Sequence, residues 1–362
     1  MDVMTKSPLS QMVESTPTDF WNDSCALAEL EYAIEHGAAG ATSNPTIVGE
    51  VLKKEWDVWA PRIEAIHRAR PEASDVDLAW QLIEEMAAGA GKLLEPIFVR
   101  EGGRKGRLSI QTNPTAWSNT DRMLEQGLHF ATLAPNMQVK FPVTAAGLRA
   151  LEQATVEGVS INATVSFTVP QALAVGEAVE RGLRRRESNG DETASMSPVC
   201  TIMIGRLDDW MKTICERDGL VPDPAALDWA GIAAMKRAAA IYRERGYRTR
   251  LLAGAYRTRL HWTELIGGDV VLTMPSAWQK RFNASPVEVR ARFDEPVPAE
   301  YVSELCELIP DFRRAYEPDG MQPEEFETYG ATVRTLRAFV GSYWDLVRTI
   351  DDILLPNPDI RR

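Results

Sequence analysis

The chain has 362 residues, 44% of them hydrophobic and 25% charged, the composition of a soluble globular protein with apolar material for one large α/β barrel or two ordinary domains. Its net charge of −12 argues against a generic nucleic-acid or anionic-membrane surface, but leaves room for a small anion held by a few arginines. Cys25, Cys200, Cys215 and Cys306 form no CxxC, and His36, His67, His129 and His261 have no metal-ligand spacing, so free thiols in a reducing cytoplasm are expected, with no metal and no cofactor.

Residues 1–17 are polar and read as a flexible arm. No hydrophobic run follows a basic segment, and no stretch approaches the ~20 apolar residues of a membrane span. Thr18 to Asp23 is a short aromatic strand ending in an acid, followed by a helix with Leu27, Leu30 and Ile34 at helical spacing. Gly40 to Ser43 is a small-residue strand ending at Asn44-Pro45, where Pro45 bars helix at Asn44 and suits a first helical turn. Two or three helices occupy about Thr46 to Phe98. A third strand spans Arg107 to Gln111, and an amphipathic helix from Thr120 to Phe130 leads to Met137-Gln138-Val139-Lys140-Phe141-Pro142-Val143.

That fourth strand holds the one lysine that sits among apolar strand residues. Lys6, Lys53, Lys54, Lys92, Lys105, Lys212, Lys236 and Lys280 all lie in polar or helical surroundings. Burial favours a neutral amine, the form that attacks a carbonyl. On its own the heptad reads first as a strand-end lysine pointing outward or paired with a carboxylate, and the neighbouring residues decide.

Further strands follow at Val159 to Thr164, Val199 to Ile204, Arg250 to Ala253 and Val270 to Thr273, each with helical sequence after it. The polar stretch Arg184 to Ser197 is the most obvious loop; it follows a helix and is expected on the face away from the chemistry. Eight alternating units predict a (β/α)₈ TIM barrel over residues 18–295, with a helical C-terminal extension over 296–362 that packs on the barrel, either covering its mouth or making a homodimer contact. A doubly wound open sheet is the alternative, but no GxGxxG lies at a strand–helix junction.

In a barrel the strand ends meet at one mouth. They carry Asp23, Asn44, Gln111, Lys140, Asn162, Thr164, Thr201, Arg206 and Arg257. Each also has a structural reading: Asp23 a helix cap, Asn44 a turn residue, Asn162 and Thr164 partners for barrel backbone, Arg206 a partner of Asp208 or Asp209. Together those readings require a lone strand lysine, an acid and two arginines to share one rim by accident.

Thr42-Ser43-Asn44-Pro45-Thr46-Ile47 resembles the signature of the transaldolase family. So do Val139-Lys140-Phe141-Pro142 with Thr144-Ala145-Ala146-Gly147-Leu148, Ile161-Asn162-Ala163-Thr164, and Gly205-Arg206-Leu207-Asp208-Asp209-Trp210. The likeness runs from about Asp19 to Pro275. It implies a metal-free class I enzyme whose lysine, Lys140, forms a Schiff base with a keto-sugar phosphate. It also implies Asp23 as general acid/base, Asn44 and Asn162 as holders of a three-carbon enamine, and Thr164 as a water-binding residue. Thr201 joins the substrate-binding set, and Arg206 and Arg257 match the family's phosphate-binding arginines.

Three positions depart from the pattern. Gln111 stands where transaldolases usually have Glu, and an amide orients water without taking its proton. Fructose 6-phosphate aldolases in the same superfamily have Gln there, which points toward free aldol cleavage. Met203 stands where those aldolases carry a tyrosine, which points back toward group transfer. Ala255 replaces a serine that usually helps hold phosphate. The expectation is transfer of a dihydroxyacetone unit from a ketose phosphate to an aldose. The alternatives are a class I aldolase and a non-catalytic barrel that binds sugar phosphates.

Overall fold

A computed structural model describes residues 6–359. Eight parallel strands, β1 (Asp19–Asn22), β2 (Gly40–Thr42), β3 (Arg107–Gln111), β4 (Met137–Pro142), β5 (Ile161–Ser166), β6 (Val199–Ile202), β7 (Arg250–Ala253) and β8 (Val270–Met274), close in sequence order with β8 paired to β1. Helices connect them on the outside, giving the expected (β/α)₈ TIM barrel with a helical C-terminal extension.

Strand alternation separates two faces. On β4, Met137, Val139 and Phe141 join the core between barrel and helices, while Gln138 and Lys140 face the axis. The barrel axis is filled in layers. Asp19, at the start of β1, is paired with Lys105 and Arg250, both at 2.7 Å, and closes the lower end. An apolar floor follows, made by Trp21, Ala39, Val199, Leu252 and Val271. Above it the polar side chains satisfy one another. Ser109 Oγ donates to Gln138 Oε1 at 2.9 Å, Asn162 Nδ2 donates to Ser109 Oγ at 2.9 Å, and Thr201 Oγ1 donates to Asn162 Oδ1 at 2.7 Å. Lys140 lies at the top of this stack.

Three stretches differ from the sequence reading. Within the arm expected over 1–17, Pro8–Ser15 is a helix: Ser7 caps it, Pro8 takes the first turn, and Leu9 and Met12 are fully buried. Residues 1–5 lie outside the described residues. The helix after β5 runs to Ser188, so the loop begins later than Arg184. That loop does lie at the lower end, where Ser195 O accepts from Arg107 and Ser197 O from Gln138. The helical sequence that leads into β7 is not continuous but breaks between Leu227 and Ala230.

The extension ends in helix Gly330–Leu354, whose Leu336, Phe339, Tyr343, Leu346, Val347 and Ile350 are buried at helical spacing. Burying each such side chain stabilises the docked helix by about 1.5–3 kcal/mol as an upper figure. It packs on helices Pro45–Lys54, Trp56–Ala69, Asp75–Arg100 and Ile204–Asp218, which brings Phe339 into the wall of the barrel mouth. Among the described residues no helix is long and apolar enough to cross a membrane.

Candidate active site

A cavity of about 500 Å³ opens at the C-terminal ends of the strands. Its lining includes Asp23, Asn44, Lys140, Thr164, Thr201, Arg206 and Arg257, seven of the nine side chains singled out in the sequence. The strands deliver these groups by register. Gln111 is the cross-strand neighbour of Lys140 on one side and Asn162 on the other.

Lys140 is only 6% exposed. Burial lowers its ammonium pKa from 10.5 to about 8, opposed by the negative charge of Asp23. Its one polar contact among the described residues is long, 3.5 Å to Ser43 O, so the amine is poorly compensated and close to its neutral form. Asp23 follows β1, is half-buried, and accepts a hydrogen bond from Thr42 Oγ1 at 2.5 Å. It is not a helix cap: the next helix starts at Leu27.

Asn44 is a cap. Its Oδ1 accepts from Ile47 N at 3.0 Å at the start of helix Pro45–Lys54, and its amide nitrogen has no partner among the described residues. Asn162 is fully buried, and its amide is committed to Ser109 and Thr201, so it supports the layer beneath Lys140 rather than lining the cavity. Gln111 also lies outside the lining. It is 4% exposed, and its Oε1 is buried without a hydrogen bond among the described residues.

Two arginines line the same cavity as the lysine. Arg206 is half-buried, with its guanidinium 5.4 Å from the centre of the Phe339 ring, and no carboxylate pairs with it among the described residues. Burial lowers its pKa, and the neighbouring Arg257 adds to that, against the charges of Asp209 and Asp23. An arginine held this way attracts an anion. Arg257 is at the rim, bound to Asp209 through Nη2 at 2.7 Å and through Nε at 3.0 Å. Gly205 lets the two strand ends approach: a Cβ there would stand 1.7 Å from Ala255 O. Ala255 takes a left-handed backbone (φ 66°), a conformation costly for a residue with a Cβ.

Several lining residues escaped the sequence reading. Tyr256 is 3% exposed, and its hydroxyl has no hydrogen-bond partner among the described residues; burial raises its pKa well above the ordinary phenol value, and Asp23 raises it further. Trp278 and Arg281 come from the helix after β8, and Phe339 from the extension. Only the position of Tyr256 next to Arg257 hinted at it; Phe339 carries no local signal, because it enters from a distant helix. Among the described residues no group of three or more His, Cys, Asp or Glu side chains is arranged to hold a metal ion.

The sequence profile of the family described as transaldolase/fructose-6-phosphate aldolase matches residues 20–310. The chain is similar to the transaldolase of Mycobacterium ulcerans, 28% identical over 260 residues that cover 65% of this chain and 69% of that protein. It is also similar to the transaldolase of Thiobacillus denitrificans, 28% identical over 274 residues covering 69% and 74%. A third relative is the transaldolase of Neisseria gonorrhoeae, 27% identical over 279 residues covering 70% and 76%. An eight-stranded barrel with a buried lysine on its fourth strand and a matching profile over most of its length belongs to the transaldolase/fructose-6-phosphate aldolase family.

Proposed function

We propose that the chain transfers a dihydroxyacetone unit from a phosphorylated ketose to an aldose acceptor through a Schiff base on Lys140. The observation that carries this reading is the desolvated Lys140 amine, its pKa lowered to about 8, in one cavity with the Asp23 carboxylate. Neutral Lys140 attacks the ketone carbon, and loss of water gives an iminium. Asp23 takes the proton of the C4 hydroxyl, the C3–C4 bond breaks, and its electron pair moves to the nitrogen to form an enamine. The aldehyde fragment leaves. The enamine carbon then attacks the acceptor aldehyde, Asp23 returns the proton to the new hydroxyl, and water hydrolyses the iminium to restore Lys140.

Asn44 offers its amide nitrogen to the three-carbon fragment, Thr164 offers its hydroxyl from β5 to the water used in proton transfer, and Thr201, whose hydrogen goes to Asn162, offers an acceptor oxygen from β6. Asn162 supports them through its bond to Thr201. Arg206, without a carboxylate partner, is the primary anion site, and Arg257 reinforces it from the rim. The four free cysteines suit a reducing cytoplasm.

Two observations favour free aldol cleavage as the second reading. Gln111 cannot take a proton from water. Tyr256 brings an unbonded hydroxyl to the same cavity, a donor for protonating the enamine. One assay separates the readings: fructose 6-phosphate is supplied with and without an aldehyde acceptor, and free dihydroxyacetone is measured. Turnover only with acceptor supports transfer. Steady release without acceptor supports the aldolase and overturns the first reading.

A further inference from the structure

A second, fully buried polar cluster lies behind the anion site. Asp208 and His261 are both 0% exposed, and His261 Nε2 is 2.7 Å from Asp208 Oδ2. The other carboxylate oxygen, Oδ1, accepts from Gly231 N at 2.8 Å. Gly231 is the second residue of helix Ala230–Arg245, which has no side-chain cap, so Asp208 satisfies an otherwise orphaned donor there. On the far side of the ring, Nδ1 accepts from Arg257 N at 3.1 Å.

The hydrogen bonds fix the tautomer. An amide N–H points at Nδ1, so Nδ1 carries the lone pair and Nε2 carries the proton donated to Asp208. A proton at Nδ1 would face the Arg257 N–H. Both oxygens of Asp208 act as acceptors, so an amide of the same shape would set a donor against a donor at one of them.

This relay connects the two arginines. Asp208 lies two residues beyond Arg206 on helix Ile204–Asp218, and His261 grips the backbone of Arg257 itself. Arg257's side chain is anchored separately, by Asp209 and by Tyr256 O at 2.9 Å. Glycines let the parts close: a Cβ at Gly231 would lie 2.3 Å from Ile204 O. Burying a charge and an imidazole costs desolvation that an apolar pair would avoid, so stability alone is a weak reason for such a pair.

We propose that Asp208 and His261 are positioning residues that set Arg257 against Arg206, and so determine how strongly the site takes a phosphate monoester. The proposal rests on the reading of these arginines as the substrate's anion site. Neither residue touches substrate, so the effect appears in binding of the anion and not in chemistry at Lys140.

The test uses the full-length chain with two substitutions. His261→Gln keeps a donor for Asp208 and loses the acceptor for the Arg257 amide. Asp208→Asn keeps the shape and sets a donor against a donor. Calorimetry measures binding of inorganic phosphate, and kinetics compare fructose 6-phosphate with fructose. The expected result is weaker phosphate binding and a higher KM for fructose 6-phosphate, each on the order of tenfold, the scale of one net hydrogen bond. The kcat/KM for fructose should fall by much less. Equal losses for both sugars, or unchanged phosphate binding in either folded variant, would overturn the proposal. If one variant does not fold, the other decides; if neither folds, the pair is a stability element and the proposal fails. Absence of any borohydride-trapped adduct on wild-type Lys140 would instead sink the catalytic reading, a result distinguishable because phosphate binding is measured without turnover.

Discussion

Thr42, at the end of β2, donates its hydroxyl hydrogen to Asp23 Oδ1 at 2.5 Å, so one oxygen of the acid is fixed from the neighbouring strand. The other oxygen has no hydrogen-bond partner among the described residues and is left to the cavity. Thr42→Val keeps the shape and removes that anchor. The expected outcome is a fall of about tenfold in the rate of bond cleavage, the scale of one orienting hydrogen bond, with little change in the rate of adduct formation. Single-turnover kinetics with borohydride quenching separate the two steps.

Lys140 is paid little for its burial by its surroundings, and this gives a pH-dependent stability. At pH 7 the amine is charged in the folded and the unfolded chain, so the folded state bears the full desolvation cost. A pKa lowered from 10.5 to about 8 puts that cost on the order of a few kcal/mol. Lys140→Met should therefore melt higher than the wild type at pH 7. The gap should close as pH rises from about 8 to about 10.5, because there the folded wild type has shed a proton that its unfolded chain still holds. Melting curves of both proteins across that range check this; a gap independent of pH would show that the amine is not desolvated.

Gln111 is the register neighbour of Lys140, and its Oε1 is buried without a partner among the described residues. Gln111→Glu adds a negative charge beside the amine, which favours the ammonium form. The acid limb of adduct formation should move above pH 8, by about one unit. Transfer should also rise relative to free cleavage, because a carboxylate takes a proton from water where an amide cannot. A pH profile of trapping checks the first effect and a product ratio the second.

Gly205→Ala places a methyl 1.7 Å from Ala255 O, a contact that only movement of the β7 loop relieves. The expected cost is about 1–3 kcal/mol of stability, as for other overpacked sites. A higher KM for the phosphorylated donor should accompany it, because Arg257 is carried on that loop. Denaturant titration and steady-state kinetics measure the two effects.

The barrel was legible because β4 and its neighbours carry short apolar runs separated by helical spacing, a pattern that strand burial on both faces imposes. Lys140 stood out for the same reason: one charge in an apolar strand costs enough to need an explanation. Asp23, Asn44, Arg206 and Arg257 were legible as strand-end residues in a matched set. Pairings between distant residues were not. Arg257 was expected free for the anion, yet it is held by Asp209, 48 residues away. Asp208 and His261 are separated by 53 residues and meet only because β6 and β7 are adjacent. Asn162 looked like a cavity residue, but its commitment to Ser109 and Thr201 follows from register, which no local pattern encodes. The helix Pro8–Ser15 was missed because Leu9 and Met12 gain their burial from elements far along the chain, including Trp262, which donates to Met12 Sδ at 3.3 Å.

The central claim is a covalent bond between Lys140 and a ketose. The most direct measurement incubates the wild-type chain and Lys140→Met with fructose 6-phosphate and borohydride, then maps the mass of each peptide. A reduced adduct on the peptide containing Lys140, absent in the variant, is the predicted result. No adduct with the wild type, or one on a different lysine, would contradict the claim.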